Sequence, residues 1–301
     1  MRSLALLLLL LLLLIPAAEA RDLDRVLKPA LVELDTEPPS WLFGTIHLPD
    51  PRVTRLHPDA ASAFEQADAV YTEIPMDTES TMQMALLSLR TDGRTLRDVL
   101  PSATWQRLGE RLERINPQLD TKLLLPMKTW AVYGGMLLFE SQLQYPDRRP
   151  LDWQLYRKAV EAGKQVGGLE QIEEQIRVFE QFSEAEQQQM LQALLDEMDR
   201  FDSGRESITE FMVQWYLTGD YMRFEELLER MPMASDPGLR KELEKQLVYD
   251  RNARFAKRIA EKIRDNPGKS FFFAIGMGHL GGERSIQALL EEAGIGTRSQ
   301  K

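Results

Sequence analysis

The 301-residue chain carries a net charge of −10, with 47 acidic against 37 basic side chains, and it has no cysteine. That balance repels phosphate backbones, and no basic stretch interleaved with aromatics offsets it, so nucleic acid is excluded as a partner. Without cysteine there is no disulfide, thiolate metal ligand, thiol nucleophile or lipid-bearing N-terminal cysteine; the fold must rest on its core, and 43% hydrophobic residues can build one.

At the N-terminus Arg2 precedes an unbroken apolar run from Leu4 to Ile15, and Ala18-Glu19-Ala20 sets small residues at a cleavage site. The pattern predicts a secretory signal, residues 1–20, too short to span a bilayer. A single domain over 21–301 is then expected in the periplasm or outside the cell, with no stable membrane anchor. Four short apolar segments read as buried strands: Ser40–Ile46, Ala69–Ile74, Gln165–Leu169 and Ser270–Ile275. Pro58–Gln66 reads as a helix linking the first two, and Leu151–Gly163 as a helix leading into the third with Gly163 past its end. Helical periodicity also covers Thr95–Arg114, Met127–Leu143, Glu173–Phe182, Ser183–Phe201, Ile208–Leu217, Tyr221–Met231, Gly238–Arg264 and Gly282–Ala293. The tail after Ile295 reads as a short strand or a frayed end. The expected fold is α/β: a central, mostly parallel sheet with helices on its faces. Large helical insertions fall at about 80–147 and 173–264.

The chemistry concentrates at strand ends, where ligands collect in open α/β sheets. Two of the three histidines follow an apolar run in the same frame, Gly44-Thr45-Ile46-His47 and Gly276-Met277-Gly278-His279. Glu73 ends the second strand and Glu170 the third, so four strands present two imidazoles and two carboxylates at one edge. Gly44 and Gly276 give the backbone freedom to turn there. Such a mixed donor set suits a divalent ion, manganese or cobalt foremost and zinc or iron also, and metal-assisted hydrolysis is the matching chemistry. Without a metal, a histidine oriented by a carboxylate could serve as general base. His57 reads as a solvated residue before a helix, Glu173 and Glu174 as a solvent-facing helix start, and Arg251-Asn252 as surface. No His-Glu-x-x-His, Gly-x-Ser-x-Gly, P-loop or dinucleotide fingerprint is present.

Phe43-Gly44-Thr45-Ile46-His47-Leu48-Pro49-Asp50-Pro51 and Ala67-Asp68-Ala69-Val70-Tyr71-Thr72-Glu73 resemble the N-terminal half of the TraB/GumN family. The resemblance continues through Leu151-Asp152, Gly163-Lys164-Gln165-Val166, Gly168-Leu169-Glu170, Tyr216-Leu217-Thr218-Gly219-Asp220, Arg251-Asn252 and Gly276-Met277-Gly278-His279-Leu280. That family includes Tiki-type metal-dependent peptidases and is distantly similar to the erythromycin esterases. The resemblance implies an α/β fold with a pseudo-repeated core and both Gly-x-x-His motifs at the active site. His47, Glu73 and His279 are then the expected metal-site or catalytic positions; if Glu73 is a ligand, Glu170 is the expected proton relay, and the division of roles between these two carboxylates stays open. The resemblance also raises Arg251 and Asn252 from surface to site residues that could hold an oxyanion. Gln171 departs from the threonine usual after Glu170, and Thr129-Trp130 from the family's Pro-Trp.

The resulting expectation is a metal-dependent hydrolase acting on a peptide or protein. A metal-free esterase with a histidine base and a non-catalytic binding protein for metal, haem or peptide are the alternatives. The insertions are expected to shape a substrate channel, and an apolar face on them is compatible with a homo-oligomer.

Overall fold

Period-two alternation sorts the strand side chains onto two faces of one sheet. The structure, a computed structural model, describes residues 28, 30–204, 207–231 and 233–299, so the predicted signal lies outside the described residues. The strands are β1 (Leu31–Leu34), β2 (Ser40–Thr45), β3 (Ala69–Thr72), β4 (Gln165–Gly168), β5 (Phe271–Gly276) and β6 (Thr297–Ser299). They lie in the order β4-β3-β5-β2-β1-β6. The first four in that order run parallel, while β1 is antiparallel to both β2 and β6. The α/β class and mostly parallel sheet expected from the sequence are therefore what the chain adopts. The four predicted strands are present, and the antiparallel extension through β1 was not predicted.

One face of the sheet carries Trp41, Phe43, Val70, Phe272 and Ala274. It is covered by α1 (Pro58–Gln66), through Ala60, Ala63 and Phe64, and by a helix over Leu151–Glu161, through Leu151, Leu155 and Ala159. The other face carries Leu42, Tyr71, Phe271, Phe273 and Ile275, and is covered by Val213, Tyr216, Phe255, Ile259, Ile286 and Leu290. The result is a three-layer sandwich in which the inner parallel strands β2, β3 and β5 are buried on both sides, the arrangement parallel sheets require, while β4 lies at the partly exposed edge.

Between β3 and β4 the chain forms α2 (Thr78–Leu87), α3 (Leu96–Val99), α4 (Ser102–Ile115), α5 (Thr129–Gln144) and α6 (Leu151–Glu161). Between β4 and β5 it forms α7 (Ile172–Glu180), α8 (Glu184–Ser203), α9 (Ile208–Leu217), α10 (Phe224–Arg230), α11 (Pro237–Glu244) and α12 (Asp250–Asp265). A last helix, α13 (Ile286–Glu292), precedes β6. Helices from both insertions share a core that includes Leu108, Leu112, Met136, Met190, Leu194, Met198, Leu228 and Leu243. α12, placed by sequence within the second insertion, packs on the sheet instead.

Three predicted helices differ in detail. Thr95–Arg114 is split because Leu100 takes an extended backbone before Pro101, the conformation a following proline favours. Tyr221–Met231 opens as a 3₁₀ turn over Tyr221–Arg223 before α10 begins. Gly238–Arg264 contains a π-helical turn over Lys245–Tyr249 that joins α11 to α12. Helix α2 was not predicted. Among the described residues no helix is long and apolar enough to cross a membrane.

Candidate metal and catalytic centre

All four parallel strands end at the same edge, and the residues that follow them meet there. Glu73 lies at the middle, 3.9 Å from His47 Nε2 and 3.8 Å from His279 Nε2, both measured to Oε1. The same Oε1 accepts a hydrogen bond of 2.7 Å from the Gly276 N–H, so the second motif glycine holds the carboxylate directly. A Cβ on Gly276 would stand 3.0 Å from that oxygen. Gly44 is needed for packing: a Cβ there would lie 2.7 Å from the Ala30 Cβ and 3.0 Å from Met277. Its carbonyl accepts a 2.9 Å hydrogen bond from the Tyr216 hydroxyl, which ties β2 to α9.

Each imidazole is fixed from behind. His279 Nδ1 lies 2.6 Å from Asn252 Oδ1, while Asn252 Nδ2 donates to the Arg284 carbonyl at 2.8 Å. A backbone carbonyl only accepts, so the amide orientation is determined, and His279 must donate from Nδ1. His47 Nδ1 lies 2.7 Å from Asp152 Oδ2, a carboxylate that also only accepts. Both rings therefore turn Nε2 toward Glu73, the pattern by which outer partners prepare histidines for metal binding.

Arg251 binds the carboxylates together. Its Nη2 donates to Glu73 Oε2 and Glu170 Oε1, each at 2.6 Å, and its Nε donates to Glu170 Oε1 at 2.9 Å. Its Nη1 stands 3.4 Å from His279 Nε2, and Arg254 Nη2 reaches Glu170 Oε2 at 3.3 Å. Asp250–Asp265 presents Arg251 and Asn252 inward as successive residues directly after the π turn, where α12 crosses the strand ends.

Burial acts on these groups in opposite senses. It pushes the His279 pKa down to about 4, with Glu73 opposing and Arg251 adding to the fall, so this ring is neutral near pH 7. Burial also pulls on His47, but the adjacent Asp152 carboxylate and then Glu73 outweigh it and raise the ring to about 9. For Glu73, burial alone would raise the pKa; Arg251, His47, His279 and the Gly276 N–H outweigh it and hold the carboxyl well below the usual range.

Two sequence expectations change with this geometry. Glu170 has a fully buried side chain clamped between Arg251 and Arg254, so it anchors the guanidinium and has no access to relay a proton. Asn252 stands behind His279, and its amide is committed to that ring and to Arg284, which removes it as an oxyanion donor. His57 lies apart from the centre, capping α1 by accepting from the Asp59 N–H at 3.1 Å. Glu173 is exposed as expected, whereas Glu174 pairs with Arg258 across to α12.

The profile of the TraB/PrgY/gumN family matches residues 31–298. The chain belongs to this family. Its curated relatives include a zebrafish (Danio rerio) protein named Metalloprotease TIKI2, 26% identical over 300 residues, with 85% of this chain and 57% of the relative covered. Human (Homo sapiens) Metalloprotease TIKI1 is 26% identical over 315 residues, covering 89% and 62%. A Metalloprotease TIKI homolog from Nematostella vectensis is 24% identical over 300 residues, covering 85% and 64%. The chain thus spans about three-fifths of the length of the curated relatives it matches. No solved structure matches it.

The names of these family relatives imply a metal ion, and the donors here fit one in kind: two Nε2 atoms with their Nδ1 protons held elsewhere, facing one carboxylate oxygen. Their spacing is looser than in a closed site, and no three His, Asp or Glu side chains among the described residues stand close enough to hold an ion as placed. Charge balance also favours a cation. Glu73, Asp152 and Glu170 are matched by Arg251 and Arg254, which leaves one positive charge to be supplied by a proton on His47 or by an ion. Asp152 was the residue missed by sequence reasoning; its one signal was the Leu151-Asp152 pair shared with the family.

Proposed function

We propose that this family member is a metal-dependent hydrolase of peptides or proteins, acting in the periplasm or outside the cell. The observation that carries the reading is the pair of imidazoles, each locked at Nδ1 and turned with Nε2 toward Glu73. The names of the curated relatives support the peptidase class.

His47, His279 and Glu73 would hold the divalent ion, manganese or cobalt foremost. When bound, such an ion lowers the pKa of a water and polarises a carbonyl. The chain's own residues prepare that chemistry. Asp152 and Asn252 hold both Nδ1 positions so that each Nε2 faces Glu73; His279 presents a lone pair there, and His47 would give up its Nε2 proton on binding. Arg251 holds Glu73 ionised and is the cation nearest the two imidazole edges, which suits it to developing negative charge. His47, whose side chain is 42% exposed, is the site group that exchanges protons with solvent.

The test is calorimetric titration of the metal-stripped protein with manganese and cobalt, beside His47→Ala and His279→Ala. About one ion per chain, lost in both variants, is expected; no binding by the folded parent chain overturns the reading. Cleavage of a peptide panel then follows with the loaded protein.

The His47–Asp152 pair supports a second reading, a metal-free hydrolase with His47 as general base. That base must be neutral to accept a proton, so with a pKa near 9 its rate would climb toward pH 9 and resist chelators.

A further inference from the structure

Helix α6 runs antiparallel to β4, which it precedes, so its N-terminus stands at the edge of the sheet where the strands end. Its second residue, Asp152, reaches inward to His47. The next residue, Trp153, is half-buried on the outer side, and two arginines flank its ring. The Arg149 Cζ lies 6.0 Å and the Arg157 Cζ 5.7 Å from the ring centroid. Trp153 and Arg157 stand four apart on one side of the helix, and Arg149 comes to the same ring from the segment before the helix begins. The Arg149 carbonyl accepts a 2.7 Å hydrogen bond from Gln154, which fixes the turn that carries it.

These cations are largely free. Arg148, Arg149 and Lys158 are exposed and have no carboxylate partner among the described residues. Arg157 is 50% exposed and meets only Glu161, at 3.6 Å. Asp152 is buried and committed to His47, which sets these four exposed cations against two exposed carboxylates, Asp147 and Glu161. The face is thus basic on a chain of net charge −10, and it begins one residue from the partner of the most exposed site histidine. A surface of that sign steers anions to itself while the rest of the molecule repels them. An indole between guanidiniums adds a flat apolar platform with cations at its edges.

We propose that Arg149, Trp153 and Arg157 form a subsite for an acidic side chain, Asp or Glu, of an extended peptide substrate that enters over His47. This assignment rests on the peptidase reading for its place in catalysis, but it is tested by binding alone. Two peptides identical except for Glu against Gln at several positions are titrated into the metal-free full chain, with calorimetry as the readout. The acidic peptide should bind about tenfold more tightly. The preference should shrink as salt rises, because exposed charges are screened within about 10 Å at 0.1 M. Arg149→Glu and Arg157→Glu should each abolish the preference. Lys122→Glu makes the same charge change at a residue 80% exposed on the helical insertion, and it should leave the preference in place. Equal binding of both peptides overturns the proposal, as does no binding of either or a preference that survives both reversals. A sulfated polysaccharide that binds where the acidic peptide does not would assign the face to another ligand and overturn it too. Cleavage is a separate readout: failure of the folded parent chain to bind manganese or cobalt would sink the peptidase reading and leave this result standing.

Discussion

Single residues at this site act mainly through one another. Asp152 touches no strand-end group except His47, yet it decides which ring nitrogen faces Glu73. Asp152→Asn should lower manganese affinity by about 10–100-fold with the fold intact, read by calorimetry and circular dichroism. Arg251 is buried against two carboxylates, and removing it leaves Glu73 without its guanidinium and Glu170 with Arg254 alone. Arg251→Met should cost about 3–5 kcal/mol in urea unfolding, and Arg251→Lys should recover only part, since an ammonium cannot reproduce the guanidinium fork. The strand-end placement of His47, Glu73, Glu170 and His279 was legible because each comes at or shortly after the end of a short strand. Asp152 was not, because it comes from a helix start that no strand pattern marks. Arg251 and Asn252 looked like the charged face of an amphipathic helix; a sequence does not say that this face crosses open strand ends rather than water. The surroundings of Glu170 and Asn252 were not legible for the same reason, since burial and hydrogen-bond partners come from the fold.

At the level of elements, glycines and one helix irregularity set the geometry. The Gly44→Ala substitution should cost about 1–3 kcal/mol by overpacking against Ala30 and Met277, seen as a fall in thermal midpoint. Helix α7 is tied to α12 by Glu174, which accepts from Arg258 Nη1 at 2.9 Å and Nη2 at 2.7 Å. The Arg258 hydrogen bonds outweigh burial and lower the Glu174 pKa from 4.5 to about 2. A lowered carboxylate contributes stability that is present above pH 4.5 and lost as pH falls through about 2. The full shift would correspond to ~3 kcal/mol, and the partial exposure of both side chains reduces it to about 1–2 kcal/mol. Urea unfolding should show Glu174→Gln less stable than the parent by that amount at pH 7, with the gap closing between pH 4.5 and 2. Strands and most helices were legible from apolar spacing. The π turn before Arg251 was not, because it shifts hydrogen bonding by one residue without altering composition. Strand β1 was not read from the sequence; its antiparallel pairing with β2 is what makes it a strand.

For the whole molecule, the α/β class followed from four strands separated by helical stretches. The shared core of the two insertions did not, since it depends on contacts between segments far apart in sequence, such as Arg107 of α4 with Asp196 and Asp199 of α8. The order of strands in the sheet has a consequence for how the molecule is made. Strand β5 lies between β3 and β2 but leaves the ribosome after both, once nearly all the helices have been synthesised. Until it arrives, the sheet has a gap at its centre, β2 and β3 have no shared partner, and His279 does not exist beside Glu73. A nascent chain therefore carries half of the candidate centre through almost its whole synthesis, and the event that closes the sheet is also the one that first sets His279 beside Glu73.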